Sequence, residues 1–134
     1  MSSAKGIREV GYVDVRQGEQ HSHHDGPHIQ PLSWLDCAGG GQVVVERGIA
    51  YVGNMRNPHG TLIIDVADPR HPRLISEISM PVGTHSHKVR VADGIMITNR
   101  EILSSRNARG ESPPAGYRGG LGIYDVSNPA KPTL

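Results

Sequence analysis

The chain has 134 residues, a formal net charge of +1, and 20 % charged residues, so no strong field draws it to nucleic acid or to an anionic membrane. Hydrophobic residues make up 36 % and aromatics 4 %, with no Phe, which is a thin core supply; 17 Gly and 10 Pro imply many turns and short elements. No apolar run reaches the roughly 18–20 residues that a membrane-crossing helix needs, and the single Cys37 has no internal disulfide partner.

In chain order, the first residues, MSSAKGIREVGYVDV, lack the apolar stretch and small-residue cleavage site of a signal peptide, so a cytoplasmic protein starting at Met1 is expected. Within them, residues 7–13 look like an outer strand that closes a neighbouring unit. Residues 16–38 form a His-rich loop containing HSHHDGPH, where Trp34 is expected to pin the loop to the blade surface. Short apolar runs then alternate with turn signals. Residues 42–46 and 49–52 flank Arg47-Gly48 as a hairpin. Residues 62–66 stop at Ala67-Asp68-Pro69, and residues 73–78 read as a half-exposed fourth strand. The order then restarts with residues 87–91, the turn Asp93-Gly94 and residues 95–98. A long loop over 102–119 follows, made basic by Arg106, Arg109 and Arg118, and residues 121–126 come next.

The two passes share one phrase. Leu62-Ile63-Ile64-Asp65-Val66 precedes Asp68-Pro69 and Pro72; Gly122-Ile123-Tyr124-Asp125-Val126 precedes Asn128-Pro129 and Pro132. Asp65 and Asp125 end strands where a carboxylate can accept hydrogen bonds from the next backbone N–H groups, and each Pro sets φ in the turn or restarts an extended segment. A four-stranded unit of about 45–60 residues is in the range of propeller blades. The phrase resembles the LVIVD repeat. That resemblance implies an all-β chain of β-propeller blades, each a four-stranded antiparallel meander, and mostly no assigned biochemical activity. Residues 1–134 are accordingly expected to be a single partial β-propeller domain, with a first blade over 40–79 and an incomplete second blade over 85–134. A propeller needs about four or more blades to close. The missing blades are expected from the rest of a longer chain, this being its N-terminal part, or from oligomerisation.

Chemistry concentrates in the histidines. His85 and His87, two apart in an extended strand, point to one side and can bind a divalent transition metal with one or two further ligands. By repeat offset they stand where the previous blade has Gly39 and Gly41, so they are additions to the scaffold. The alternatives are hydrogen-bonded channel residues or an exposed pair. His21, His23, His24 and His28, with Asp25, form a weaker candidate, against a flexible polar loop with adventitious affinity. Arg100 and Glu101 are candidates to anchor a polar or anionic ligand, against a surface ion pair worth about 0–1 kcal/mol. No P-loop, G-x-S-x-G, C-x-x-C or H-E-x-x-H occurs. The first expectation is a non-catalytic binding module presenting loops on one face to a protein or small-molecule ligand. The second is a metal-dependent enzyme with its site at the channel mouth; the third is a purely structural role.

Overall fold

The structure, a computed structural model, describes residues 32–33, 35, 40–55, 59–103, 109–113 and 115–134. Among the described residues, every strand lies in the unit Ser33–Leu134. The first sheet takes β1 (Val43–Glu46), β2 (Ile49–Val52), β3 (His59–Asp65) and β4 (Arg73–Ser79) in sequence order, each pair antiparallel. In the second, β5 (Thr84–His85) and β6 (Val89–Ala92) run successively along β7 (Ile95–Ile102), and β8 (Gly120–Asp125) pairs with β7. Beyond β8 the chain folds back, and Thr133 bridges Asp125 as Arg73 pairs with Asp65. The fold is all-β, and its antiparallel meanders are blades of the β-propeller kind.

The turns explain why the sequence makes the same unit twice. Arg47 (φ 50°) and Gly48 (φ 77°), like Asp93 (φ 50°) and Gly94 (φ 78°), occupy the left-handed region that a two-residue hairpin with the right twist requires. At the exit, Asp65 Oδ1 accepts from Ala67 N–H at 3.0 Å and Asp125 Oδ1 from Ser127 N–H at 2.8 Å. The next residues, Val66 and Val126, donate to Gly48 and Gly94 carbonyls, each at 2.8 Å, so the exit turn is tied to the hairpin of the same blade. Asp68 and Asn128 repeat the device on Arg70 and Ala130; the lone His71 hydrogen-bonds Asp68 at 2.8 Å in this turn.

These bonds carry a pH prediction. The Ala67 N–H, then the Arg73 guanidinium, holds the Asp65 carboxyl below its ordinary 3.8, and the Ser127 backbone N–H, then its hydroxyl, does the same for Asp125. A carboxylate depressed by folding stabilises the native state above its unfolded pKa, and that stability is lost as pH falls through the folded value. Asp65→Asn is therefore expected to lower the melting temperature at neutral pH, with the gap to wild type closing in acid; a gap that does not change with pH would contradict this.

Several boundaries differ from the sequence reading. β3 begins at His59 rather than Leu62. The inner strand of the second blade is split into β5 and β6 instead of running over 87–91. β7 continues to Ile102, because β5 extends the ladder beyond Thr98. Asn99, Arg100 and Glu101, read from the sequence as the polar end of this strand, thus lie within β7. The closing strand 7–13, the His-rich loop 16–38 apart from Leu32, Ser33 and Leu35, with His21, His23, His24, Asp25 and His28, and the positions of Trp34, Cys37 and Arg106 fall outside the described residues.

The two sheets pack face to face. Tyr51 and Ile63 of the first meet Val89, Met96, Tyr124 and Val126 of the second in one buried cluster. The opposite face of the first sheet buries Ala50, Val52, Leu62 and Ile64, with Leu35 and Val66 against them. Alternation with period 2 decides which residue goes to which face.

Candidate metal centre

The centre grows out of a register fault. His85 pairs with Glu101 and Val89 with Thr98, so three residues, Ser86-His87-Lys88, oppose two, Asn99-Arg100. This is a β-bulge, a device that re-aims side chains beside functional sites. The Asn99 side chain secures it: its Oδ1 accepts from Lys88 N–H at 2.7 Å. The same amide turns Nδ2 to Glu101 Oε1 at 2.7 Å and lies 3.4 Å from His87 Nδ1. His85 and His87 then sit with ring centroids 4.8 Å apart, tilted by 49°.

Glu101 completes the cluster across the ladder. His85 Nε2 is 3.5 Å from Glu101 Oε2, and one ligand atom from each of His85, His87 and Glu101 falls within 4.8 Å of the others. In tetrahedral coordination, metal–ligand bonds of 2.0–2.2 Å place ligand atoms about 3.4 Å apart, so the His85–Glu101 pair is already at spacing. His85 is buried, 6 % exposed, and its Nδ1 finds no hydrogen-bond partner among the described residues. Nδ1 is the ring nitrogen other than the Nε2 that faces Glu101.

The electrostatics fit ligands rather than a salt bridge. Burial, and next the neighbouring His87, pushes the His85 imidazole below its ordinary value, with Glu101 opposing. The hydrogen bond from Asn99, and after it the two histidines and Lys88, holds Glu101 below the usual carboxylate value. A neutral imidazole and an ionised carboxylate are the forms that bind metals.

The first sheet holds this corner in place. Gln42 N–H donates to His87 O at 2.9 Å, Val89 N–H to Gln42 Oε1 at 3.1 Å, and Asn54 N–H to Ser86 O at 2.9 Å. Gly41 and Gly53 allow the approach: a Cβ on Gly41 would stand 2.6 Å from His87 O, and one on Gly53 would collide with the same carbonyl. The repeat offset maps Gly41 onto His87 and Gly53 onto Asn99. One blade spends these positions on backbone contact, and the next places side-chain chemistry there. Gly53→Ala is expected to cost about 1–3 kcal/mol by wedging the sheets apart and to weaken metal binding through the displaced His87; an unchanged melt would contradict the contact. A shallow groove of about 620 Å³, lined by Gly41, Gln42, His87, Ile97, Asn99 and Leu121, adjoins the histidine.

Of the other sequence candidates, Arg100 and Glu101 do not form the surface ion pair. As successive strand residues they project to opposite faces. Arg100 donates to the Tyr124 hydroxyl at 2.5 Å and lies 5.8 Å from that ring's centroid, whereas Glu101 faces His85. Asn99, to which sequence reasoning assigned no role beyond a strand end, is the residue that positions both His87 and Glu101.

Fold and corner together define blades of a β-propeller with a His-His-carboxylate cluster at the inner end of the second. The LVIVD repeat model matches residues 41–79 and 115–134, and in these two segments the chain is similar to that repeat. The matched segments hold β1 to β4, β8 and both exit turns, and leave out His85, His87, Asn99 and Glu101. No curated protein and no solved structure matches the chain.

Proposed function

We propose that this chain is a metal-binding module on a propeller scaffold, which takes one divalent transition ion at His85, His87 and Glu101. The observation that carries the reading is the convergence of these three donors, one ligand atom from each within 4.8 Å of the others, with His85 buried. Two imidazoles and one carboxylate suit zinc, iron, nickel or copper better than magnesium or calcium, which prefer all-oxygen sites. Three protein ligands leave at least one coordination position for water or a small ligand, and the groove beside His87 gives that position access. Asn99 acts one layer out, orienting two ligands at once.

The test is a calorimetric titration of the metal-stripped whole chain with Zn²⁺ and Ni²⁺. One stoichiometric site is expected. It should vanish in the His85→Ala/His87→Ala variant and persist when His21, His23, His24 and His28 are all replaced by alanine. The reverse pattern would move the ion to HSHHDGPH and contradict the proposal.

A further inference from the structure

Part of the seam between the two sheets recurs on the outer face of the first sheet, away from the metal centre. Within the seam, β4 meets the second blade through two side chains. The Ser76 hydroxyl donates to the Pro129 carbonyl of the exit turn at 2.6 Å, and Ile78, two residues on, packs against the cluster that holds Met96, Tyr124 and Val126. The repeat counterparts of Pro129, Met96, Tyr124 and Val126 in the first blade are Pro69, Ala50, Ile64 and Val66. The matching contacts are present there. The Ser33 hydroxyl donates to the Pro69 carbonyl, again at 2.6 Å. Leu35, two residues on, packs with Val66 against the cluster that holds Ala50 and Ile64.

We propose that each blade carries on this face a seat for a Ser-x-aliphatic segment, and that Ser33 to Leu35 fills the first seat as a strap, in the place that β4 takes on the second blade. The seat has two parts of different chemistry. A proline carbonyl in the exit turn accepts one hydroxyl, and an apolar floor beside it takes one aliphatic side chain. Residues two apart in extended backbone point to the same side, so a hydroxyl and an aliphatic group at that spacing reach both parts at once. The residues between them, Trp34 and Glu77, are unlike, as expected where alternate positions are recognised. The strap is one short segment where β4 brings a whole sheet with it, and it covers less. Ala50 and Ile64 are closed at 6 % exposure each, but Val43 is 55 % exposed and Val45 61 %, whereas Val89, the counterpart of Val43, is 1 % exposed in the seam.

Methyl NMR of the whole chain, with chelator present so that the metal reading plays no part, tests the strap without any variant. The Leu35 methyl groups should show cross-relaxation to methyl groups of the cluster Ala50, Val52, Leu62 and Ile64; none to any of the four would overturn the proposal. Denaturant unfolding adds the energetics. Leu35→Ala and Ile64→Ala should each lower the midpoint, and the double variant should lose less than the sum, because the two side chains share one contact. Ile78→Ala with Ile64→Ala should lose the sum, since Ile78 belongs to the cluster on the other face of the sheet. Ser33→Ala should lower the midpoint, and Ser33→Thr, which keeps the hydroxyl, should recover most of the loss. Additive losses for Leu35 and Ile64, coupling as strong between Ile78 and Ile64, or a Ser33→Ala chain that unfolds as wild type does would overturn the proposal.

Discussion

Replacing His85 and His87 together by alanine is expected to abolish stoichiometric metal binding, whereas Asn99→Ala should keep the ion with roughly 10–100-fold lower affinity. The ranking follows from what each side chain touches. The two imidazoles are direct donors on the bulged edge, and removing both leaves Glu101 as the cluster's remaining donor. Asn99 donates to Glu101 and supports the bulge through Lys88, so its loss frees the ligands without deleting them. Glu101→Gln should fall between the two, keeping the shape of the site but withdrawing the charge that balances the cation. Calorimetry on the four proteins reads this order directly. An Asn99→Ala variant that binds as tightly as wild type would mean that the bulge holds without its amide, and an unaffected double histidine variant would remove the site altogether.

Ile63→Ala should cost about 2–5 kcal/mol of stability, while Ile123→Ala, the same exchange at the same repeat position, should stay within about 0.5 kcal/mol at concentrations where the chain is monomeric. Ile63 is completely buried between the sheets, and its deletion leaves a cavity lined by Tyr51, Met96 and Tyr124 that the sheets cannot close without moving. Ile123 faces outward from the second sheet. Denaturant unfolding of both variants separates them. Equal, large losses would show that the outer face of the second sheet is already covered in the folded chain; equal, small losses would show that the two sheets do not depend on their shared cluster.

Much of the scaffold was legible in the sequence because it rests on local chemistry. Arg47-Gly48 and Asp93-Gly94 demand left-handed backbone, and both are hairpins. Asp65 and Asp125 accept from the N–H groups two residues on, as their place before the turn implied. The site was legible only in part. Spacing alone puts His85 and His87 on one side, and their rings do meet. Glu101 was noticed but joined to its chain neighbour Arg100, although alternation in an extended strand sends adjacent residues to opposite faces. Counting outward from the Asp93-Gly94 hairpin would have brought residue 101 opposite residue 86, between the two histidines. The remaining shift, which pairs Glu101 with His85, comes from the bulge, and the bulge depends on the Asn99 side chain and on the clamp from Gln42 and Asn54 of the other sheet. These are tertiary contacts, and no local pattern announces them. The early end assigned to β7 has the same origin, since its last residues pair with β5.

The measurement that bears most directly on the metal centre is X-ray absorption at the zinc edge of the Zn²⁺-loaded whole chain, with the His21→Ala/His23→Ala/His24→Ala/His28→Ala background used to silence the other histidine cluster. The account predicts a shell of nitrogen and oxygen ligands at about 2.0–2.1 Å with the outer-shell scattering of two imidazoles, both lost in His85→Ala/His87→Ala. A spectrum without imidazole scattering, or one unchanged by that double substitution, would contradict a centre built from His85, His87 and Glu101.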